Sequence, residues 1–466
     1  MNAVLIGFIV YLVLLVIIGL FASRFMRTLN DFLLGGWRAG ALVCAISERA
    51  SGESAWFLLG LPGLAYASGF SAFWTVIGCA IGIFLSWNFI AQKLREKTGE
   101  YNALTIPDFL ESASGDNTGW VRIVSTVIIL FFYTLYVSAQ FIGAGKILNV
   151  SFGIPHLYGM IIGALIVIFY TLMGGFLAVA WTDVLQGLLM AFVSIFLPLI
   201  AIIKLGGFSA FISKISYKGA DFLTITGGKT GSALIFGLAL SGLGVGLGYL
   251  GQPHLLTRYM ALRGSHLARH GMLIAMLWVL TAYWGAVFIG LSGAGFFPSI
   301  PDREKIMPLL AVKVFPAWFA GILISGAIAA MMSTADTQLL VATSAISEDI
   351  YHKLLKKEVS QAKLVFISRI ATVIMGAIAF ILALTVKEKI FSFVLYAWSG
   401  LAASFAPPII LGLYGRLSKC GAVCGMLTGT AVTVVWHNVP VLKSAIYELI
   451  PAFILRFVVT YFLSKR

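Results

Sequence analysis

The pattern of apolar and polar residues along the chain divides it into long hydrophobic segments separated by short polar breaks. Thirteen segments approach or exceed the roughly 20 apolar residues that a helix needs to cross a bilayer. They lie at 3–24, 40–68, 70–92, 121–147, 156–176, 180–204, 231–257, 271–296, 307–346, 364–386, 390–414, 419–437 and 444–463. The pattern therefore predicts an all-α polytopic membrane protein with about 13 transmembrane helices.

Composition and charge support this prediction. Of 466 residues, 60% are hydrophobic and 11% are charged, against roughly 45–50% and 25% in soluble domains. The net charge of +14 comes from cations in short loops, so it reflects membrane topology and excludes a nucleic-acid groove. The loops assigned to one side of the membrane carry most of the cations, and Arg258 is included among these loop cations. This asymmetry predicts insertion in the inner membrane with the N-terminus outside and the C-terminus cytoplasmic.

Two spans carry residues that interrupt a helix. The second span contains Gly52 and then Gly60-Leu61-Pro62-Gly63, and the seventh contains four alternating glycines, Gly251 and Pro253. Backbone without helical hydrogen bonds is tolerated at membrane depth only beside protein or a watery cavity. Two interrupted spans with four between them predict inverted repeats at 40–204 and 231–414, flanked by segments 1–39 and 415–466. Alternatively, the glycines only permit close helix packing.

Charged residues within the spans cost roughly 2.5–3.5 kcal/mol each and need a partner or a function. Glu48, Arg49 and Glu53 lie in the second span, Asp183 in the sixth and Asp336 in the ninth. The four-residue spacing of Arg49 and Glu53 allows an ion pair on one helix. Alternatively, the Arg49 guanidinium could bind a substrate carboxylate, whose two oxygens match its planar fork.

The ninth span also carries a cluster of side-chain oxygens at Ser333, Thr334, Asp336 and Thr337. A desolvated alkali cation needs several hard oxygen ligands, which hydroxyls and the free carbonyls of an unwound helix can supply together. The alternative is that these hydroxyls bond back to the preceding helical turn. The sequence thus offers a cation site between the second and ninth spans.

Four ordered motifs then identify a resemblance that covers nearly the whole chain. They are Ala50-Ser51 through Trp56 with Gly60-Leu61-Pro62-Gly63, Gly174-Gly175-Phe176 through Trp181-Thr182-Asp183, Gly248-Tyr249-Leu250-Gly251-Gln252-Pro253-His254, and Met332-Ser333-Thr334 with Gln338-Leu339-Leu340 and Ser347-Glu348-Asp349. With these motifs the chain resembles the sodium/solute symporter family, and within it the proline-transporting members most. The resemblance implies a LeuT-type inverted repeat of five plus five helices, with one extra N-terminal and two extra C-terminal helices.

The resemblance also implies a set of site residues. Sodium would bind the backbone carbonyls of Ala50, Glu53 and Ala330 and the hydroxyls of Ser333 and Thr334. Asp183 would lie on the sodium path or at a second sodium site. The substrate would be lined by Ser54, Ala55, Trp56, Tyr136, Gln140, Val245, Tyr249 and Pro253.

Departures from the family pattern concern the substrate. Proline symporters of this group carry an aspartate in place of Gly52 and a tryptophan in place of Val245, while Arg49 and Asp336 are additional charges with possible coupling roles. We therefore expect sodium-coupled import, by alternating access, of a small polar solute such as proline or a related compound. The alternative is a proton-coupled porter of a small carboxylate or other solute.

No enzymatic activity is expected, because the chain shows no nucleophile with an adjacent base and no nucleotide-binding loop. The expected partners are the substrate, the co-transported sodium ion and the lipid bilayer. We expect no obligate protein partner and no nucleic acid.

Overall fold

The structure is a computed structural model that describes residues 3–23, 29–355, 360–386 and 389–465. Within these residues the secondary structure is helical, and the single β-type pairing is an isolated bridge between Ala39 and Leu262. The end of the predicted first span, Arg24, lies outside the described residues. An all-α fold is thus what the described part of the chain adopts.

The described residues contain nine helical stretches that are long and apolar enough to cross a membrane, and shorter apolar helices at Gly7–Gly19, His156–Leu172 and Leu449–Ser464. The first of the nine, Ala41–Glu100, contains both the second and the third predicted spans, so the helices correspond to the thirteen predicted. Their principal helices are Ala3–Ser23, Ala41–Ala55, Leu61–Ser68, Phe73–Leu85, Gln92–Glu100, Trp120–Phe152, His156–Gly174, Phe176–Lys204, Gly231–Leu234, Ser241–Gly244, Pro253–Met260, Ala268–Phe296, Ala317–Ser344, Gln361–Ala383, Ile390–Leu413, Lys419–Asn438 and Leu449–Ser464.

The second span is interrupted as the sequence predicts. Ser54 has φ 48° and ψ −168°, a backbone conformation that residues with a Cβ rarely adopt. A wide helical turn at Trp56–Gly60 follows, and the α-helix resumes at Leu61. Pro62 stands in the first turn of that helix, where its missing N–H leaves no internal hydrogen bond broken.

The seventh span is interrupted at Gly251 and Gln252, whose dihedral angles are non-helical, and Pro253 starts the next helix. The earlier glycines of this span permit close helix packing, which was the alternative explanation for them. A Cβ added at Gly246 would lie 1.9 Å from the Gly78 carbonyl oxygen, and one at Gly82 would lie 1.9 Å from the Gly246 carbonyl oxygen. Both explanations therefore apply, each to a different part of the span.

The ninth span begins later than the sequence predicts. We expected one helix over 307–346, but the structure has a short helix, Ile306–Val314, and a separate one, Ala317–Ser344. Pro316 causes the break, because proline lacks the N–H and disfavours helical geometry in the residue before it. Apolar residues continue across this break, so hydropathy alone could not locate it.

Candidate functional site

The centre of the candidate site is the contact between the ninth span and the broken second span. The Ser333 hydroxyl donates to the Ala50 carbonyl at 2.9 Å, and the Thr334 hydroxyl donates to the Ser51 carbonyl at 2.8 Å. Both hydroxyls also lie within 3.2 Å of the Ala330 carbonyl oxygen, one turn earlier. The cross-span contact and the bond to the preceding turn, which the sequence left as alternatives, therefore occur together.

These contacts collect four of the five predicted sodium ligands: the carbonyls of Ala50 and Ala330 and the hydroxyls of Ser333 and Thr334. The fifth, the Glu53 carbonyl, lies further along the second span and accepts the N–H of Trp56. The Ser51 carbonyl, which the sequence analysis did not include, touches the Thr334 hydroxyl instead. Every residue named here except Trp56 is completely buried. The arrangement provides hard, uncharged oxygens shielded from water, which is what a desolvated alkali cation requires.

A buried ion pair lies beside this oxygen cluster. Asp183 Oδ2 accepts from the Ser47 hydroxyl at 2.6 Å, the Ser51 hydroxyl at 3.0 Å and Arg258 Nη2 at 2.9 Å. Arg258 also donates to the Thr337 hydroxyl at 2.7 Å. The count of inner-loop cations was wrong to include Arg258, because its side chain is fully buried. It directly follows the predicted seventh span, 231–257, and was therefore counted as a loop cation.

The charges in this cluster do not cancel. Asp336 lies next to Thr337, whose hydroxyl is 3.4 Å from Asp336 Oδ1. Among the described residues, Asp183 Oδ1 and Asp336 Oδ2 are buried without a hydrogen-bond partner. In the described part of the chain, Arg258 forms its salt bridge with Asp183, and no cation is paired with the Asp336 carboxyl group. Buried charges need compensation, so the cluster favours a further cation or proton.

A second buried network surrounds Arg49. Its Nε donates to Glu48 Oε2 at 2.6 Å, its Nη2 donates to Glu48 Oε1, and its Nη1 donates to Glu53 Oε1 at 2.9 Å. The Tyr283 hydroxyl donates to Glu53 Oε2, and the Trp87 indole donates to Glu48 Oε2 at 3.1 Å. The Arg49–Glu53 pair predicted from spacing is present, and Glu48 adds a bidentate partner. All guanidinium nitrogens of Arg49 thus have protein partners, which favours the ion pair over a substrate carboxylate.

We expect Glu53→Ala to lower the free energy of unfolding by about 3 kcal/mol, because it strips one partner from a buried charge. Thermal unfolding of the purified protein measures this. Glu53→Gln is the matched control, since it keeps an oxygen acceptor and should lose less. If Glu53→Ala unfolded at the wild-type temperature but failed to bind substrate, Arg49 would be a substrate residue and not part of a structural pair.

Four of the predicted substrate residues, Ser54, Ala55, Tyr136 and Gln140, form one group around the break at Ser54. The Ala55 N–H, which the break leaves without a helical partner, donates to Gln140 Oε1 at 2.9 Å. The Tyr136 hydroxyl is 3.5 Å from Ser54 Oγ, and Gln140 Nε2 donates to the Tyr136 carbonyl at 3.2 Å. The break therefore faces polar groups of the long helix Trp120–Phe152. These are groups that could bind an amino or carboxyl group of a substrate.

The other predicted substrate residues make different contacts. Trp56 packs against Phe391 and Tyr283, with ring centroids 6.3 and 5.8 Å apart. The Tyr249 hydroxyl is 2.6 Å from that of Tyr283, so it belongs to the Arg49 network. Pro253 starts the helix after the second break and is buried.

A cavity of about 520 Å³ lies between the 205–230 connection and the second and seventh spans. Val245 and Phe391 line it, together with the charged residues Lys218, Asp221 and Lys229. Since Phe391 packs on Trp56, its ring separates the cavity from the broken segment. Phe391 was not among the predicted site residues, because it lies at the start of an apolar run that carries no motif.

A cluster of ion pairs lies around Arg122, at the start of the helix Trp120–Phe152. Arg122 Nη1 donates to Asp349 Oδ1 at 2.6 Å, and Arg122 Nη2 donates to Asp108 Oδ1 at 2.9 Å and to Glu111. Burial raises the pKa of Asp108, but Lys353 and Arg122 outweigh it and hold the pKa below its usual value. Asp108 is therefore ionised at neutral pH, and its contacts with Arg122 and Lys353 are ion pairs.

The fold is that of a transporter with a LeuT-type architecture. The chain matches the substrate-bound outward-open state of a Na⁺-coupled sialic acid symporter with a TM-score of 0.83 at 18% identity, over 100% of this chain and 98% of that one. The profile of the sodium:solute symporter family matches residues 32–429. The chain belongs to the sodium:solute symporter family.

Curated relatives agree with this assignment. The chain is 37% identical to the sodium/proline symporter of Escherichia coli (strain K12), over 97% of this chain and 91% of the relative. It is 36% identical to a high-affinity proline transporter of Bacillus subtilis (strain 168), over 97% and 95%. The expectations of a multi-pass membrane symporter and of co-transported sodium are thereby confirmed. No finding supports the proton-coupled alternative.

Proposed function

We propose that this symporter binds sodium between the broken second span and the ninth span, at Ala50, Glu53, Ala330, Ser333 and Thr334. The observation that carries the proposal is the pair of hydroxyls on Ser333 and Thr334 that bridge the two spans. A sodium ion would replace these hydrogen bonds and accept the lone pairs of the same hydroxyl and carbonyl oxygens. The ion would then hold together helices from the two inverted repeats.

Sodium binding and substrate binding are coupled because both depend on the same broken segment. The sodium ligands end where the substrate-facing residues Ser54 and Ala55 begin. Fixing this segment with sodium orders the groups that meet the substrate, and by linkage the substrate raises sodium affinity by the same factor. A membrane potential of 100 mV adds about 2.3 kcal/mol of driving force per sodium ion.

Alternating access would move both ligands across the membrane. We assign the cavity at Val245 and Phe391 to the outside, consistent with an external N-terminus and a cytoplasmic C-terminus. The Arg122 ion pairs would form the inner closure that separates during release. Asp183 would lie on the sodium path towards that side or form part of a second sodium site, with Asp336 as its neighbouring charge.

We propose an amino acid such as proline, or a related compound, as the substrate. The proline-transporting relatives support this class, whereas Gly52 and Val245 distinguish this pocket from theirs. A Cβ added at Gly52 would lie 3.4 Å from the Leu255 side chain and 3.7 Å from the Tyr249 ring. This chain has no carboxylate at Gly52 and no tryptophan at Val245. Its pocket would therefore be less polar and wider than the pocket of the proline symporters. It would accept a side chain larger than the proline ring.

We expect Val245→Trp to shift substrate preference towards smaller solutes, with at least a roughly tenfold loss in apparent affinity for the native substrate. Competition of unlabelled amino acids against a transported one measures this. Val245→Leu, which adds volume without an aromatic face, is the control. An identical competition profile for wild type and Val245→Trp would show that this position does not line the pocket.

The proposed function is tested by thermal unfolding of the purified protein with amino acids, sugars and carboxylates, each in sodium or potassium. A ligand stabilises the protein only if the folded state binds it. We expect one class, amino acids, to raise the unfolding temperature in sodium and not in potassium. Stabilisation that is equal in both salts would contradict the proposed coupling.

A further inference from the structure

A buried cation lies outside the transport site, in the C-terminal helices. Arg456 stands at the middle of Leu449–Ser464, which packs against Ile390–Leu413 and Lys419–Asn438. Its side chain is fully buried. A charge at the centre of a membrane helix is costly and is almost always paired or near a polar cavity. The positive charge of this guanidinium therefore requires a compensating group.

One of its nitrogens has a clear structural role. Arg456 Nη1 donates to the Ala403 carbonyl. In an α-helix that carbonyl would accept the N–H of the residue four positions later, which here is Pro407, and proline has no N–H. Arg456 therefore satisfies the carbonyl that Pro407 leaves free. This explains one edge of the guanidinium and leaves its charge uncompensated.

The other edge has no protein partner. Within the described residues, Arg456 Nε and Nη2 are buried without a hydrogen-bond partner, and the recorded contact of the guanidinium is the one from Nη1 to the Ala403 carbonyl. The N–H groups on these two nitrogens point in parallel, which is the arrangement that binds an anion with two donors. Arg456 Nε and Nη2 thus form a positively charged pair of donors, separate from the nitrogen that contacts Ala403.

A third donor lies one helical turn away. The Thr460 hydroxyl is also buried and unpartnered among the described residues, whereas Thr433 in the neighbouring helix bonds to the carbonyl four residues back at 2.8 Å. Gly425 faces both groups. A Cβ added at Gly425 would lie 2.0 Å from Thr460 Oγ1 and 3.4 Å from Arg456 Nε, so only glycine lets this helix pack so closely against the two donors.

We propose that Arg456 and Thr460 bind a small monovalent anion, with chloride as the natural occupant, between the three C-terminal helices. Three unpartnered donors and one positive charge lie beside Gly425, and an anion offsets the charge of the guanidinium, which an uncharged water molecule does not. The anion neutralises Arg456 and ties Leu449–Ser464 to its neighbours. The site does not rest on the proposed function, since it shares no residue with the sodium or substrate groups.

The test is thermal unfolding of the purified full-length protein at constant sodium concentration, with chloride replaced by gluconate, which is too large for the site. We expect chloride to raise the unfolding temperature of the wild type by about 2–4 °C in a saturable way. Thr460→Val, which retains Arg456, should lose at least half of this response. Thr428→Val is the matched control, because Thr428 bonds within its own helix to the Cys424 carbonyl at 2.7 Å, and it should respond like the wild type.

Bromide provides a second readout that does not depend on any variant folding. In crystals grown with sodium bromide, anomalous scattering should show one ion beside Arg456 and Thr460. Equal unfolding temperatures in chloride and gluconate, or crystals without bromide at this position, would overturn the proposal. A chloride response retained in full by Thr460→Val would overturn the assignment of the site to these donors.

Discussion

Replacing both Ser333 and Thr334 by alanine is expected to raise the sodium concentration for half-maximal uptake by at least roughly 100-fold. Each hydroxyl would lose a contact with a charged ligand, which is worth about 1.5–3 kcal/mol, and the two losses act on one ion. Uptake of labelled substrate at a series of sodium concentrations measures this change. The variant should still fold, since both side chains are small and the bonds they lose to carbonyls are uncharged.

Ser325→Ala is the matched control for this prediction. Ser325 lies on the same helix and is equally buried, but its hydroxyl bonds only to the Gly321 carbonyl, at 2.9 Å, one turn earlier. It should leave sodium activation unchanged. Wild-type sodium activation in the Ser333 and Thr334 double variant would remove the assignment of the sodium site.

The second large effect is expected at Asp183. Asp183→Asn should weaken sodium activation at least tenfold and lower the free energy of unfolding by about 3 kcal/mol, because Arg258 loses its carboxylate partner. Removing Arg258 as well, in Asp183→Asn with Arg258→Gln, should restore most of the stability. The weak sodium response should persist in that double variant, since the carboxylate is still missing.

Thermal unfolding and sodium-dependent uptake together separate these two roles. If Asp183→Asn kept the wild-type sodium response, Asp183 would be only the structural partner of Arg258. If the double variant regained sodium activation along with stability, the sodium defect would follow from misfolding and not from the lost carboxylate.

The parts of this structure that the sequence predicts are those with a strong local signal. Long apolar runs predict the helices, because hydrocarbon accepts backbone only with its hydrogen bonds satisfied. Glycine and proline in the second and seventh spans predict the two breaks, which occur at Ser54 and at Gly251. The hydroxyls of Ser333 and Thr334 stand out because polar side chains are rare in such a span.

Other features depend on contacts between distant segments and have no local signal. Arg258 follows an apolar run, so only the fold shows that it is buried against Asp183. Arg49 has two carboxylates close in sequence, and its bidentate partner Glu48 also accepts a hydrogen bond from the indole of the distant Trp87. Phe391 covers Trp56 through a contact between residues more than 300 positions apart. Such pairs are set by tertiary packing.

If sodium drives substrate movement through the proposed site, uptake should require both a sodium gradient and the Ser333 and Thr334 hydroxyls. The most direct test is uptake into proteoliposomes that contain the purified protein, with an inward sodium gradient, an inward proton gradient or neither. We predict accumulation of an amino acid above its external concentration with the sodium gradient alone, and none in the Ser333 and Thr334 double variant. Accumulation driven by the proton gradient in the absence of sodium would contradict sodium coupling.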